Sequence, residues 1–265
     1  MIQVKKNKKL ELPSWTKLLL ATILLAGQVL WRLLKGRIHK RNTIEQMWLV
    51  GPGSLSLSLV TAAFVGMVFT IQVAREFIYF GAVGAVGGVL SISLARELAP
   101  VLTSLVIAGR VGSAFAAEIG TMKVTEQIDA LYVLKTDPVD YLVTPRFLAC
   151  VLMLPLLTIM SLLVGLTSGV LIAKGFYNIE PVIFIRSSHN FLRVWDIISA
   201  AIKAGTFGGL IAIIGCSWGL LTTGGAKGVG QSTTSAVVVS TLAVFAADFL
   251  LDLLLFQGTG QANIN

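Results

Sequence analysis

Five long apolar runs constrain this chain more than any other feature, and they fall near 55–78, 92–118, 147–173, 197–222 and 236–257. Each holds about 20 residues or more, the length a helix needs to cross a hydrocarbon core of roughly 30 Å. A segment in lipid satisfies its backbone polar groups internally, so isolated runs of this length predict transmembrane helices rather than strands. With 55% hydrophobic and 13% charged residues, the chain of 265 residues has too little polar surface to coat a water-soluble globule. The expected fold class is all-α: a polytopic membrane bundle with short loops and no attached soluble domain.

Charge gives the bundle an orientation. The net charge of +8 does not come from basic residues interleaved with stacking aromatics, so nucleic acid is not an expected partner. Residues 1–47 carry ten of the 21 Lys and Arg, among them Lys5, Lys6, Lys8, Lys9, Arg37, Lys40 and Arg41, against Glu11 and Glu45. By the positive-inside rule the N-terminus is cytoplasmic. Five crossings then place the loop 119–146 in the cytoplasm, and the loop 174–196 and the uncharged tail 257–265 outside. Lys174, Arg186 and Arg193 make the bias of that outer loop weak. The run 18–34 is of borderline length, is broken by Gln28 and ends in Arg32, the pattern of a helix lying in the interface. No small-residue cleavage site follows it, so a signal peptide is not expected. Residues 1–50 therefore read as a basic segment with an interfacial amphipathic helix, and 51–265 as the transmembrane domain.

Small residues recur every four positions in the second run, as Gly109, Ser113 and Ala117 and as Gly112, Ala116 and Gly120. That spacing lets helix backbones approach closely in lipid, and packing within the chain is the simpler reading than a subunit contact. Gly81, Gly84, Gly87 and Gly88 suggest a turn between the first two runs. Cys150 and Cys216 lie in apolar runs and read as small core residues, and His39 and His189 lie far apart, so neither a disulfide framework nor a metal site is expected.

Ionisable residues at membrane depth are the sharper signal, since each costs several kcal/mol unless paired or wetted. Arg96 and Glu97 open the second run, Arg110 sits in its middle and Glu118 closes it, with Arg110 and Glu118 on roughly one face. Lys203 interrupts the fourth run, and Asp248 and Asp252 share a face of the fifth. Pairing of Asp248 with Lys203, or with an Arg of the second run, is the natural expectation. Such residues either lock helices together or line a polar path that meets a substrate headgroup.

The cytoplasmic segment 118–146 reads EIGTMKVTEQIDALYVLKTDPVDYLVTPR. Val124, Ile128, Leu131 and Lys135 follow helical spacing, with Glu126, Gln127 and Asp129 on the other faces. Asp137 and Pro138 form the N-cap and first-turn pair of a new helix, which Pro145 is expected to end. So short a first helix has to be held by its neighbours or by a partner. A solvated connector on the membrane surface and a projection into another protein both remain open on spacing alone. The dipeptide Gly-Lys is absent, and the stretch GGAKGVG at 224–230 lacks a Gly-Lys-Ser/Thr ending, so no phosphate-cradling loop is present. With no nucleophile and base at a motif spacing either, enzymatic activity is not expected.

The stretches ARELAPVLTSLVIAGRVGSAFAAEIGTMKVTEQIDAL and DPVDYLVTPR, with the closing pattern AVFAADFLLDLLLF, resemble the MlaE (YrbE) permease family, whose chloroplast relatives are the trigalactosyldiacylglycerol permease subunits. The similarity runs from about Gly51 to Phe256. It implies a homodimeric ABC transporter permease with five spans and an N-terminal interfacial helix per subunit. The implied partners are two ATPase subunits, which bind the ATP and Mg, and an MCE-domain lipid-binding protein. Phospholipids or related polar lipids would be the cargo. The membrane implied is a bacterial or cyanobacterial inner membrane or a plastid inner envelope. By the same resemblance, the helix at 126–134, with Glu126, Gln127, Ile128, Asp129 and Leu131, is the coupling helix, braced by Asp137, Pro138, Tyr141 and Arg146. Arg96 and Glu97 match the family's charged pair near the lipid pocket, and Lys203 and Asp248 resemble its later polar positions. The rival readings are a secondary transporter relaying protons through Asp248, Asp252 or Glu97, and a scaffold that binds lipid without moving it.

Overall fold

A helix α1 (Ser14–Leu34) precedes the first span, which is α2 (Lys40–Val50) joined at Gly51 to α3 (Pro52–Tyr79). The structure, a computed structural model, describes residues 14–35 and 39–256. Lys5, Lys6, Lys8, Lys9, Arg37 and the tail 257–265 lie outside the described residues, and with them the expectations placed on those ends. The second span is built from α4 (Val86–Ser93), α5 (Ala99–Ile107) and α6 (Ser113–Val124), joined by π-helical turns at Leu94–Leu98 and Ala108–Gly112. A short α7 (Gln127–Val133) leads to a third π-turn, Val139–Val143, and α8 (Thr144–Tyr177). After α9 (Pro181–Phe191) come α10 (Val194–Leu220) and α11 (Gly225–Phe256). Five helical stretches are long and apolar enough to span a membrane, and no strand occurs among the described residues.

Several boundaries differ from expectation. Gly87 and Gly88 lie inside α4, not in a turn. Their missing side chains let α9 press against the span, since a Cβ at Gly87 would collide with the Phe184 carbonyl and one at Gly88 with the Phe191 ring. The segment expected as the loop 174–196 thus contains a packed helix. The second span begins near Val83, so Arg96 and Glu97 lie well inside it rather than at its opening. The helix expected over 124–135 is split: Val124 ends α6, Glu126 takes a left-handed φ of 62° and α7 starts after it. Pro145 does not end a helix but sits in the first turn of α8, because the wider π-turn before it absorbs the ring that an α-helical turn would clash with.

At the centre α8 packs between α3 and α10, and α10 also meets α6 and α11. Lipid tails are as apolar as the side chains, so close backbone approach does much of the joining here. A Cβ on Gly208 of α10 would stand 2.6 Å from the Cys150 carbonyl oxygen of α8. The Gly112, Ala116, Gly120 stripe is used the same way, against Gly215, Gly219 and Thr222, which makes it packing within the chain. Phe115, Ile119, Leu154, Phe207 and Ile211 fill the core beside the buried, free thiols of Cys150 and Cys216, and Leu25 and Val29 of α1 reach into it. Thr22 shares a hydrogen bond of 2.9 Å with Ser217, and Arg32 pairs with Asp137 and Asp140. All these partners lie at the end of the bundle that carries α7, so α1 runs along that end.

Candidate functional site

Lys203 stands nine residues into α10, about 13 Å along the helix from its start. Its side chain has 0% exposure. Burial there is tolerable only with partners, and four oxygens supply them. The ammonium donates to Glu97 Oε1 at 2.8 Å and to the Arg96 carbonyl at 2.9 Å, and it lies 2.9 Å from Asp248 Oδ1 and 2.5 Å from Asp252 Oδ1. Asp248 and Asp252 are one turn apart on α11, which is why both reach the same cation. The three carboxylates offer oxygens within 4.8 Å of one another, an arrangement that could hold a metal ion, but here the Lys203 ammonium takes the central position.

Arg96 turns the other way. Its Nε donates to Asp196 Oδ1 at 2.7 Å, and its guanidinium stacks 4.6 Å from the centroid of the Phe256 ring. Asp196 is buried in the first turn of α10 and also accepts the Arg193 N–H at 2.8 Å, so it caps the helix and holds Arg96 at once. Arg96, Glu97 and Asp252 keep part of their surface open while Lys203 does not. Leu98, the residue after Glu97, helps to line an apolar groove of about 260 Å³ together with Phe64, Val68 and Gln72 of α3. Charged groups and an apolar groove on one span can together meet a polar head and its hydrocarbon tail.

The expected Lys203–Asp248 pair is thus present, and Glu97 and Asp252 join it. Arg110 and Glu118 do not. The π-turn at Ala108–Gly112 separates them in register; Arg110 donates to Ser54 Oγ at 2.5 Å, and Glu118 accepts from Arg146 at 2.8 Å.

At the opposite end of the bundle, α7 is held from below. Ile128 is 2% exposed and belongs to the core with Val139 and Val143, while Leu131 is partly buried. Glu126, Gln127 and Asp129 are exposed, and Asp129 pairs with Lys123 at 3.3 Å. Tyr132, Val133 and Leu134 project outward, with Val133 83% exposed. Asp137 accepts the Val139 N–H at 2.9 Å, the expected cap, and the Arg32 Nη2 at 2.6 Å, while Asp140 accepts Arg32 Nη1 at 3.0 Å. Hydrogen bonding to Asp137 above all holds the Arg32 pKa above its ordinary value. Pro138 is buried, the Tyr141 ring meets His39 edge-on at 5.9 Å, and Arg146 joins the Leu142 carbonyl at 3.0 Å to Glu118. Sequence reasoning missed Arg32, Asp140, Asp196 and Phe256. An acidic residue three positions after Arg193 at the head of a span was the available signal for Asp196.

Over residues 43–254 the chain matches the family model described as Permease MlaE. It is 62% identical over 256 residues to a probable ABC transporter permease protein of Synechocystis sp., covering 97% of each chain. It is 54% identical over 243 residues to the chloroplastic protein trigalactosyldiacylglycerol 1 of Arabidopsis thaliana, covering 92% of this chain and 69% of that one. A probable ABC transporter permease protein of Pyropia yezoensis is 46% identical over 254 residues, with 96% and 97% covered. The matched stretch contains every residue of the Lys203 cluster and all of α7. With five apolar spans and a family match over most of its length, the chain is a membrane protein and belongs to the ABC transporter permeases of the MlaE family.

Proposed function

We propose that this permease conducts phospholipids or related polar lipids between membranes, driven by a separate ATPase that binds the ATP and Mg. The observation that carries the reading is α7: a short helix anchored by buried Ile128 that turns Tyr132, Val133 and Leu134 to the outside. An exposed apolar tip on a braced helix fits a groove in another protein. A relative that bears the name of a galactolipid supports a lipid cargo, as do the charged cluster and the apolar groove that Leu98 of the same π-turn helps to line.

In this account the N-terminus, α1 and α7 face the cytoplasm of a bacterial or cyanobacterial cell, or the stroma of a plastid. Two copies of the chain pair with two ATPase subunits and an MCE-domain protein. ATP binding closes the ATPases and pushes α7 as a rigid body. The Arg32–Asp137 and Arg146–Glu118 pairs pass that push to α1, α6 and α8. The second span carries it on to Arg96 and Glu97, where a headgroup sits with its tails in the groove. The push acts only if the ATP-bound state favours one permease conformation over the other.

The test is reconstitution of the complex in vesicles with a fluorescent phospholipid. Transfer that needs ATP and stops with vanadate supports the proposal. Transfer driven by a pH gradient without ATP favours a secondary transporter, and binding without transfer favours a scaffold.

A further inference from the structure

Proline has no N–H to give the carbonyl four residues earlier, so within a helical span it leaves that oxygen free. Behind three of the prolines inside the spans, Pro100, Pro145 and Pro155, the freed carbonyl meets a neighbouring element. Behind Pro155 the Val151 carbonyl faces Gly205 of α10, where a Cβ would lie 3.6 Å away. Behind Pro145 the Tyr141 carbonyl accepts from Asn42 Nδ2 at 3.5 Å. Behind Pro100 the Arg96 carbonyl accepts from Lys203 Nζ at 2.9 Å. Of these three contacts, only the last has a charged donor, and its donor is the centre of the Lys203 cluster.

We infer that Pro100 is a positioning residue for this cluster: by withholding an N–H it leaves the Arg96 carbonyl free to hold the Lys203 ammonium among Glu97, Asp248 and Asp252. An ammonium has three donors, and four oxygens from two helical stretches, the π-turn and α11, surround it. Lysine is a point charge on a flexible stem, so carboxylates alone would let it follow whichever of them moved. A backbone carbonyl on the π-turn fixes its place relative to Arg96 and Glu97, the part-exposed charges of that turn. Pro100 also lies in the first turn of α5, directly after that π-turn, so ring and turn come as one feature. The inference rests on the headgroup reading for its functional half, and its structural half is measured separately.

The experiment uses the full chain with its ATPase, carrying either Pro100→Ala or lactic acid at position 100 introduced by nonsense suppression. Alanine restores the N–H; lactic acid puts an ester oxygen there and, like alanine, lacks the ring. Pro100→Ala should lower ATP-driven transfer of a fluorescent phospholipid by about tenfold, the size of one lost hydrogen bond to a charged group. The ester protein should stay within about twofold of wild type. In detergent, the 15N resonance of the Lys203 ammonium, assigned with Lys203→Gln, should move in the alanine protein and keep its place in the ester protein. Equal behaviour of the two variants, impaired or not, overturns the proposal, as does an unmoved resonance in the alanine protein. If the alanine protein does not fold, a wild-type resonance and melting temperature in the ester protein support the proposal, and their loss overturns it. If wild type itself transfers no lipid, the functional reading fails while the resonance still decides the role of Pro100.

Discussion

Arg32 Nη2 donates to Asp137 Oδ2 across 2.6 Å, so a residue of α1 holds the chain that presents α7. The same carboxylate caps the turn that follows by accepting the Val139 N–H. Asp137→Ala removes a part-exposed ion pair and a cap together, a loss of about 1–2 kcal/mol. The melting temperature in detergent should fall by a few degrees. ATP hydrolysis by the assembled complex should persist while lipid transfer drops several-fold, which paired assays of the two would reveal.

Ile128 and Val133 lie five residues apart on one short helix, yet they predict opposite phenotypes. Val133→Asp places a charge on a side chain that is 83% exposed, so the protein should fold and melt as wild type does while losing its ATPase in co-purification. Ile128→Asp buries a charge in the core and should cost several kcal/mol, enough to deplete folded protein before any question of docking arises. Retained ATPase binding by Val133→Asp would remove α7 from the coupling role.

Lys203→Met leaves Glu97, Asp248 and Asp252 facing each other at membrane depth without their cation. Breaking a buried pair on one side typically costs about 3–5 kcal/mol. Asp252→Asn keeps Lys203 with two carboxylates and should cost distinctly less. Thermal unfolding of the purified proteins orders the two, and a reversed order would contradict the central place given to Lys203.

Gly208→Val should prevent α8 and α10 from closing, because even a Cβ would reach the Cys150 carbonyl. Overpacking of this kind costs about 1–3 kcal/mol or more where backbone is the obstacle. Gly109→Ala meets open space within the chain and should leave its fold intact. Size-exclusion profiles of the two detergent-solubilised variants make the comparison.

Much of this arrangement was legible in the sequence because lipid imposes simple rules. Length and hydropathy set the five spans, and the cost of a lone Lys203 demanded a carboxylate such as Asp248. What escaped was decided by contacts between distant segments or by backbone register. Arg32 resembled an ordinary basic flank until Asp137 and Asp140 folded beneath it. Asp196 lay in what reads as an outer loop, so its bond to Arg96 had no local signature. Pro145 looked like a stop because periodicity assumes an α-helical turn, and a π-turn makes room for the ring instead. The outward side of α7 had no local signature either: its apolar ridge at Ile128 points into the bundle, and Tyr132, Val133 and Leu134 are what project.

The most direct test of the account is ATP-dependent lipid transfer by the reconstituted complex with wild-type chain and with Val133→Asp, measured beside ATPase retention. The account predicts vanadate-sensitive transfer for wild type, and loss of both transfer and bound ATPase for the variant, with an unchanged melting temperature. Transfer by the variant at the wild-type rate, with its ATPase still bound, would contradict it.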